Sequence, residues 1–148
     1  MCIRDRNFPG ISRADSNGNF YIAVDSAGTV TPQNQNGVTT GTINLTAYGI
    51  IPFTGGTGAD TYLIKYNTSG SVEWATRVGG TASDRAPDCT VDNQGNVYMT
   101  GIYTSSPVTI SNYSTAPSPP GTGNVGLATY GTLPDSAGEN VFLVKYAA

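Results

Sequence analysis

The segment Asp15-Ser16-Asn17-Gly18-Asn19-Phe20-Tyr21 returns 77 positions later as Asp92-Asn93-Gln94-Gly95-Asn96-Val97-Tyr98. Tyr62-Leu63-Ile64-Lys65-Tyr66 returns 80 positions later as Phe142-Leu143-Val144-Lys145-Tyr146. Self-similarity at a fixed period restricts a chain to modular arrays, in which each unit covers the apolar face of its neighbour. With 19 Gly, 9 Pro and 9 Tyr, and few stretches of helical spacing, the units are built of short strands separated by Gly, Asn, Asp and Ser clusters. That pattern belongs to all-β sandwiches, barrels and propellers.

Met1-Cys2-Ile3-Arg4-Asp5-Arg6 back-translates as ATG TGT ATA AGA GAC AG plus one base, which resembles the transposase end sequence of sequencing libraries, and residues 1–6 are set aside as an artefact. The natural protein is then expected to continue upstream. Without Arg4, Arg6 and Asp5, five basic side chains face nine acidic ones. No basic stripe exists to neutralise phosphates, which excludes nucleic acid and anionic membrane as expected partners. No apolar run approaches the ~20 residues of a spanning helix. With Cys2 set aside, Cys89 stands alone, so no disulfide framework forms, and a small buried filler outweighs a reactive nucleophile.

The segment 60–103 is expected to hold four strands in series. Thr61 to Tyr66 is apolar on both alternating faces, as an interior strand should be. Asn67-Thr68-Ser69-Gly70 supplies a hairpin turn, since Asn tolerates and Gly freely adopts left-handed geometry. Val72, Trp74, Thr76 and Val78 then fall on one face, opposite Glu73, Ala75 and Arg77, and the strand ends at Gly79-Gly80. A polar link containing Asp84 and Arg85 leads to Asp88-Cys89-Thr90-Val91, the turn Asp92 to Gly95, and a last strand from Asn96 to Tyr103. Four such strands form an antiparallel meander, the blade of a β-propeller. A solenoid β-helix would need shorter coils.

The expected organisation is therefore residues 7–25 as the last two strands of a preceding blade, 26–59 as a connector, 60–103 as one complete four-stranded blade, 104–138 as a second connector, and 139–148 as the first strand of a following blade. The connectors are themselves related: Gly41 to Gly49 parallels Gly123 to Gly131, and Pro52 parallels Pro134. Recurrence of apolar residues at the same intervals predicts one or two short strands in each, with Pro117 to Gly123 the most mobile stretch.

A strand ending Lys65-Tyr66, then Asn67-Thr68-Ser69-Gly70, a strand containing Trp74 and ending Gly79-Gly80, then Val91-Asp92-Asn93-Gln94-Gly95-Asn96-Val97-Tyr98-Met99-Thr100-Gly101 resembles the bacterial β-propeller repeat family called SBBP. The resemblance covers Asp60 to Tyr103 and the partial copies at Gly10 to Val24 and Asn140 to Tyr146. It implies a propeller fold in a secreted or cell-surface bacterial protein, and no defined catalytic residues. Val24-Asp25 stands where Gly101-Ile102 is found, so the edge strand of the first copy is expected to be irregular.

The chain has no His, the commonest general base and metal ligand. Without one, no Ser-based triad can be assembled. Lys65 and Lys145 occupy equivalent repeat positions, which favours stems packed along a sheet over a Schiff-base role. The Asp15 to Asn19 and Asp92 to Asn96 clusters lack the Glu of an EF-hand loop, Val24 and Gly101 standing in its place, and read as Asx-type turns. Gly55-Gly56-Thr57-Gly58 has no Lys-Ser/Thr after it and no phosphate-loop character. Asn44-Leu45-Thr46, Asn67-Thr68-Ser69 and Asn112-Tyr113-Ser114 satisfy the glycosylation sequon, a frequent coincidence in an Asn/Thr/Ser-rich chain. Tyr62, Tyr66, Trp74, Tyr98 and Tyr146 could stack on sugars, but they sit at repeat-core positions. No catalytic, cofactor-binding or metal-ligating residue is singled out, and no cofactor is implied.

The expected function is a non-enzymatic β-propeller repeat segment of a larger secreted or cell-surface protein. It would act as a scaffold or interaction module whose partners are neighbouring blades and a protein or glycan ligand. The alternatives are a carbohydrate-binding or calcium-dependent adhesive module, and a structural part of a propeller enzyme whose active site lies elsewhere. Since a blade needs neighbours, the chain alone is expected to be marginal or to self-associate.

Overall fold

The computed structural model describes residues 10–39, 42–105, 107–112, 125–134 and 138–148. Every regular element among them is a β-strand: β1 Ile11–Ala14, β2 Phe20–Ser26, β3 Gln33–Thr39, β4 Thr42–Ala47, β5 Asp60–Tyr66, β6 Val72–Gly79, β7 Asp84–Val91, β8 Val97–Tyr103, β9 Val108–Ser111, β10 Thr129–Leu133 and β11 Asn140–Tyr146. The stretch Pro117 to Gly123 lies outside the described residues. Antiparallel pairing assembles a six-stranded sheet in the order β1-β2-β5-β6-β9-β10, a three-stranded sheet β11-β8-β7, and a separate β3-β4 pair.

The hairpins arise where the sequence places them. Gly18 and Gly95 both take φ 83°, and Gly70 takes φ 80°, the left-handed geometry that closes these turns. Asp15 and Asp92 cap their turns identically: one carboxylate oxygen accepts from the amides two and four residues on. The other oxygen accepts from the Asn side chain four residues on and the Tyr hydroxyl six residues on.

The all-β, blade-like architecture is present, but the strands that share a sheet are not those of one sequence segment. The four strands of 60–103 divide between two layers. β5 and β6 join β1 and β2, with β2 paired to β5 along seven residues from Phe20↔Tyr66 to Ser26↔Asp60. β7 and β8 join β11 instead, through Val97↔Tyr146 to Tyr103↔Asn140. Each sheet thus gathers the last two strands of one repeat and the opening strand of the next. Turn chemistry specifies which strands form hairpins; which hairpins adjoin is decided by long-range burial, to which local pattern is blind.

Three smaller differences follow from the same packing. β2 is interior and pairs without irregularity, with Val24 packed against the connector-lined core. Its counterpart Gly101 lies against a ring: a Cβ there would stand 2.4 Å from Phe142 Cζ and 2.3 Å from the Arg85 carbonyl oxygen. The link at Asp84 and Arg85 is strand, not loop, with a register shift between Arg85 and Asp88 that accommodates Pro87. A second shift between Lys65 and Tyr66 moves Val72 off the face it would share with Trp74 and into the opposite cluster.

The two large sheets are layered. Tyr21, Ala23, Leu63, Trp74 and Val78 of the first meet Cys89, Val97, Met99, Phe142, Val144 and Tyr146 of the second in one core. The other face of the first sheet, bearing Tyr62, Ile64 and Ala75, is covered by Tyr48, Ile51 and Val125 from the connectors. β5 is therefore buried on both sides, which is why its sequence is apolar on both faces. Each connector contributes two strands, but they part ways: β3 and β4 pair alone, whereas β9 extends the first sheet from β6. Tyr48 is 5% exposed and its counterpart Tyr130 is 71% exposed.

Candidate functional site

The groups that carry chemistry in this sequence are mostly committed to structure. Cys89 is a free, buried thiol whose pKa is pushed up by burial, so it packs and is a poor nucleophile. Lys65 extends over the Tyr21 ring at 5.7 Å and pairs with Glu73 at 2.8 Å. Lys145 repeats the first contact, 5.5 Å over Tyr98. Tyr62, Trp74 and Tyr146 are core residues rather than a sugar-stacking platform, and Tyr66 and Tyr98 are half-buried. Asn67 Oδ1 accepts from the Ser69 and Ser71 amides and the Ser69 hydroxyl, which makes that triplet a turn cap.

Sequence reasoning did not single out a set of buried carboxylates at one end of the sheets. Asp60, fully buried, accepts from the Thr54 amide at 2.9 Å and from the Thr54 hydroxyl, and lies 3.7 Å from Arg77 Nε. Arg77 also donates to the Pro52 carbonyl. Asp84, equally buried, accepts from the Ser105 hydroxyl at 2.6 Å and from the Thr104 and Ser105 amides. Asp25 accepts from the Thr61 hydroxyl and the Ala86 amide, joining the two layers. The signal was Gly79-Gly80, which looked like a strand end. A Cβ on Gly79 would stand 2.2 Å from Asp60 Cγ, and one on Gly80 would stand 2.4 Å from Ser105 Cβ, so both glycines make room for these networks. Among the described residues no group of three or more His, Cys, Asp or Glu is placed to hold a metal.

The carboxylates split by environment. Burial pushes the pKa of Asp25 and of Asp60 above the ordinary 3.8, even against the hydrogen bonds they accept. At Asp92 the Asn96 side chain leads a set of donors that pulls the carboxyl below that value. At Asp15 desolvation acts upward but is outweighed by Asn19, Tyr21 and Asn17. The folded state therefore takes up protons at Asp25 and Asp60 before the unfolded chain does, and their stabilising contribution is lost as pH rises through the raised values. Asp15 and Asp92 contribute above the ordinary value and lose it as pH falls. Melting temperature followed from about pH 3 to 8 is expected to peak on the acid side of neutrality. Asp60→Asn is expected to flatten the limb between that peak and neutral pH.

The second sheet carries an exposed apolar face. Its outward face carries Tyr98, Thr100 and Ile102 of β8 beside Val141, Leu143 and Lys145 of β11, with Val141 77% and Leu143 70% exposed. A small cleft of about 240 Å³, lined by Asn112, Tyr130, Lys145, Tyr146 and Ala147, opens beside β11. It falls below the ~300–1,000 Å³ of ordinary ligand pockets. No described helix is long and apolar enough to cross a membrane.

No family model matches the chain, and no solved structure matches it. Over 111 residues, 74% of its length, the chain is 32% identical to an uncharacterized WD repeat-containing protein of Acanthamoeba polyphaga mimivirus, and it spans 7% of that relative's length.

Proposed function

We propose that this chain is a non-enzymatic, propeller-type repeat segment of a larger secreted or cell-surface protein, and that it works as a scaffold for protein contacts. The observation that carries the reading is how the two sheets meet. The face of the first sheet bearing Tyr21, Leu63 and Lys65 is covered by the face of the second bearing Met99, Phe142 and Val144. Leu63 and Leu143 are repeat equivalents, as are Ile64 and Val144, so unlike faces of like units are in contact. Such head-to-tail contacts generate a ring when the rotation closes. The WD repeat relative supports a propeller-type repeat. The secreted or surface setting rests on the resemblance of Asp60 to Tyr103 to the SBBP repeats. The non-enzymatic reading is supported by a buried thiol and by carboxylates saturated with internal donors.

The test is to append a second copy of residues 67–146 after Tyr146, in register with the 80-residue period. Covering Val141 and Leu143 is worth ~1.5–3 kcal/mol each. At ~2–4 °C per kcal/mol, the melting temperature is expected to rise by about 10 °C. The transition of the original chain should depend on concentration. An unchanged melting temperature would overturn the array reading.

A further inference from the structure

Of the asparagines in the chain, Asn17 and Asn36 are followed by glycine. That pairing matters chemically, because a glycine nitrogen is unshielded by a Cβ and can reach the side-chain amide carbon of the residue before it. The two sites differ in the fold. Asn36-Gly37 lies within β3, in the ladder with β4, at the register shift between Gln35 and Val38. Asn17-Gly18 forms the tip of the turn between β1 and β2, where Ser16 and Asn17 are exposed. Among the described residues the Asn17 side-chain amide has no hydrogen-bond partner. Its main-chain N–H donates to Asp15 Oδ1 at 2.9 Å, and that of Gly18 donates to the Asp15 carbonyl oxygen at 3.1 Å.

The second copy supplies the comparison. Gly95 takes the same φ of 83° as Gly18 and donates to the Asp92 carbonyl oxygen at 3.0 Å, and the Asp92 carboxylate accepts the same set of donors as Asp15. The residue before Gly95 is Gln94. Its extra methylene makes the corresponding ring closure larger and slower, and its Oε1 accepts from Asn96 Nδ2 at 3.3 Å. Two turns of one geometry therefore differ in this reactivity.

We infer that Asn17-Gly18 is a self-modifying site whose reaction is held back by the Asp15 cap. Asparagine is thermolabile for a chemical reason that this turn exposes. When the turn opens, the Gly18 nitrogen gives its proton to hydroxide and bonds to Asn17 Cγ. The Cγ–Nδ2 bond breaks, and Nδ2 takes a proton from water and leaves as ammonia. Water then opens the imide ring, at Cγ to give aspartate or at the main-chain carbonyl carbon to give isoaspartate. Isoaspartate routes the main chain through the former side chain, which lengthens the turn by a methylene and sets a new carboxylate near that of Asp15. Tyr21 couples the change to the meeting of the two layers: its hydroxyl donates to Asp15 Oδ2 at 3.0 Å, and its ring lies 6.1 Å from that of Trp74. The first turn thus carries a timer that the second lacks. The chemistry needs no partner and no further copy of the repeat.

The test ages the full chain at neutral and mildly alkaline pH and maps it by peptide mass spectrometry, with isoaspartate counted by enzymatic methyl transfer from labelled S-adenosylmethionine. Conversion is expected at Asn17, faster at the higher pH, while Gln94 stays intact. Gln94→Asn should install the reaction in the second turn, and Asn17→Gln should remove it from the first without lowering the melting temperature. Asp15→Ala should speed conversion of Asn17 about fivefold by freeing the turn. Asp92→Ala removes the equivalent cap from the other copy and should leave the Asn17 rate unchanged, which separates local opening from a general loss of stability. The aged chain is expected to melt about 2–6 °C below the fresh one. Conversion confined to Asn36, conversion of Asn17 only in urea, an inert Gln94→Asn variant, equal responses to Asp15→Ala and Asp92→Ala, or an unchanged melting temperature after conversion would each overturn the inference.

Discussion

Trp74→Ala is expected to destabilise the chain by about 3–5 kcal/mol in urea unfolding followed by far-ultraviolet circular dichroism. Trp74 is 6% exposed and lies where the two layers meet, with its ring 6.1 Å from that of Tyr21 in its own sheet and 6.1 Å from that of Tyr146 in the other. Truncation removes the buried apolar area and leaves a cavity that neither sheet can close alone, because each is held in register by its own ladder. Trp74→Phe keeps an aromatic ring against both tyrosines and should lose much less. Since domains are stable by only ~5–15 kcal/mol, the Ala variant is expected to lose cooperative unfolding or to populate it at far lower urea. A loss below about 1 kcal/mol would mean that the layers do not depend on this contact.

Asp60→Ala should cost a similar amount, about 3–5 kcal/mol, for an electrostatic reason. The carboxylate is fully buried beside Arg77, whose side chain is 12% exposed, and it satisfies the amide and hydroxyl of Thr54. Removing it leaves the Arg77 guanidinium without its counter-charge in a low-dielectric site and orphans the Thr54 amide, while the Thr54 hydroxyl keeps the Gly80 carbonyl as acceptor. Asp60→Asn retains the shape and one acceptor, and the Thr54 hydroxyl can accept from the new amide, so a loss of about 1–2 kcal/mol is expected. A double-mutant cycle adds a sharper measurement. Gly79→Ala places a methyl 2.2 Å from Asp60 Cγ in the native chain, but in the Asp60→Ala background that space is vacant. The cost of Gly79→Ala should therefore fall sharply when Asp60 is already Ala, whereas independent sites would add. Equal costs in both backgrounds would contradict the close approach.

These two residues also measure how much could be read in advance. Trp74 was legible as a core residue, because alternation places it with Thr76 and Val78 on one strand face. Asp60 was not. A carboxylate that ends up buried has the same letter as one in a solvated turn, and its partners Thr54, Arg77 and Gly79 come from separate segments of the chain. The turns at Asp15 and Asp92 were legible for the opposite reason: every donor to the carboxylate lies within six residues of it. Lys65 and Lys145 fell in between. Their equivalence was visible in sequence, while the Glu73 pairing of Lys65 appears only once β6 is placed against β5.

By itself, the sequence determined the all-β class, the period of the repeat, the hairpins and their turn geometry, and the two-sided burial of β5. All of these depend on alternation or on contacts a few residues apart. The tertiary structure decided the grouping: β5 and β6 complete the sheet begun by β1 and β2, and β7 and β8 begin the sheet that β11 continues. It also decided which apolar residues are core and which, like Val141 and Leu143, are left exposed. The physical reason is that a repeat carries the same local signals in every copy. Only long-range burial between copies distinguishes Leu63, which is sealed between the layers, from its repeat equivalent Leu143, which is exposed.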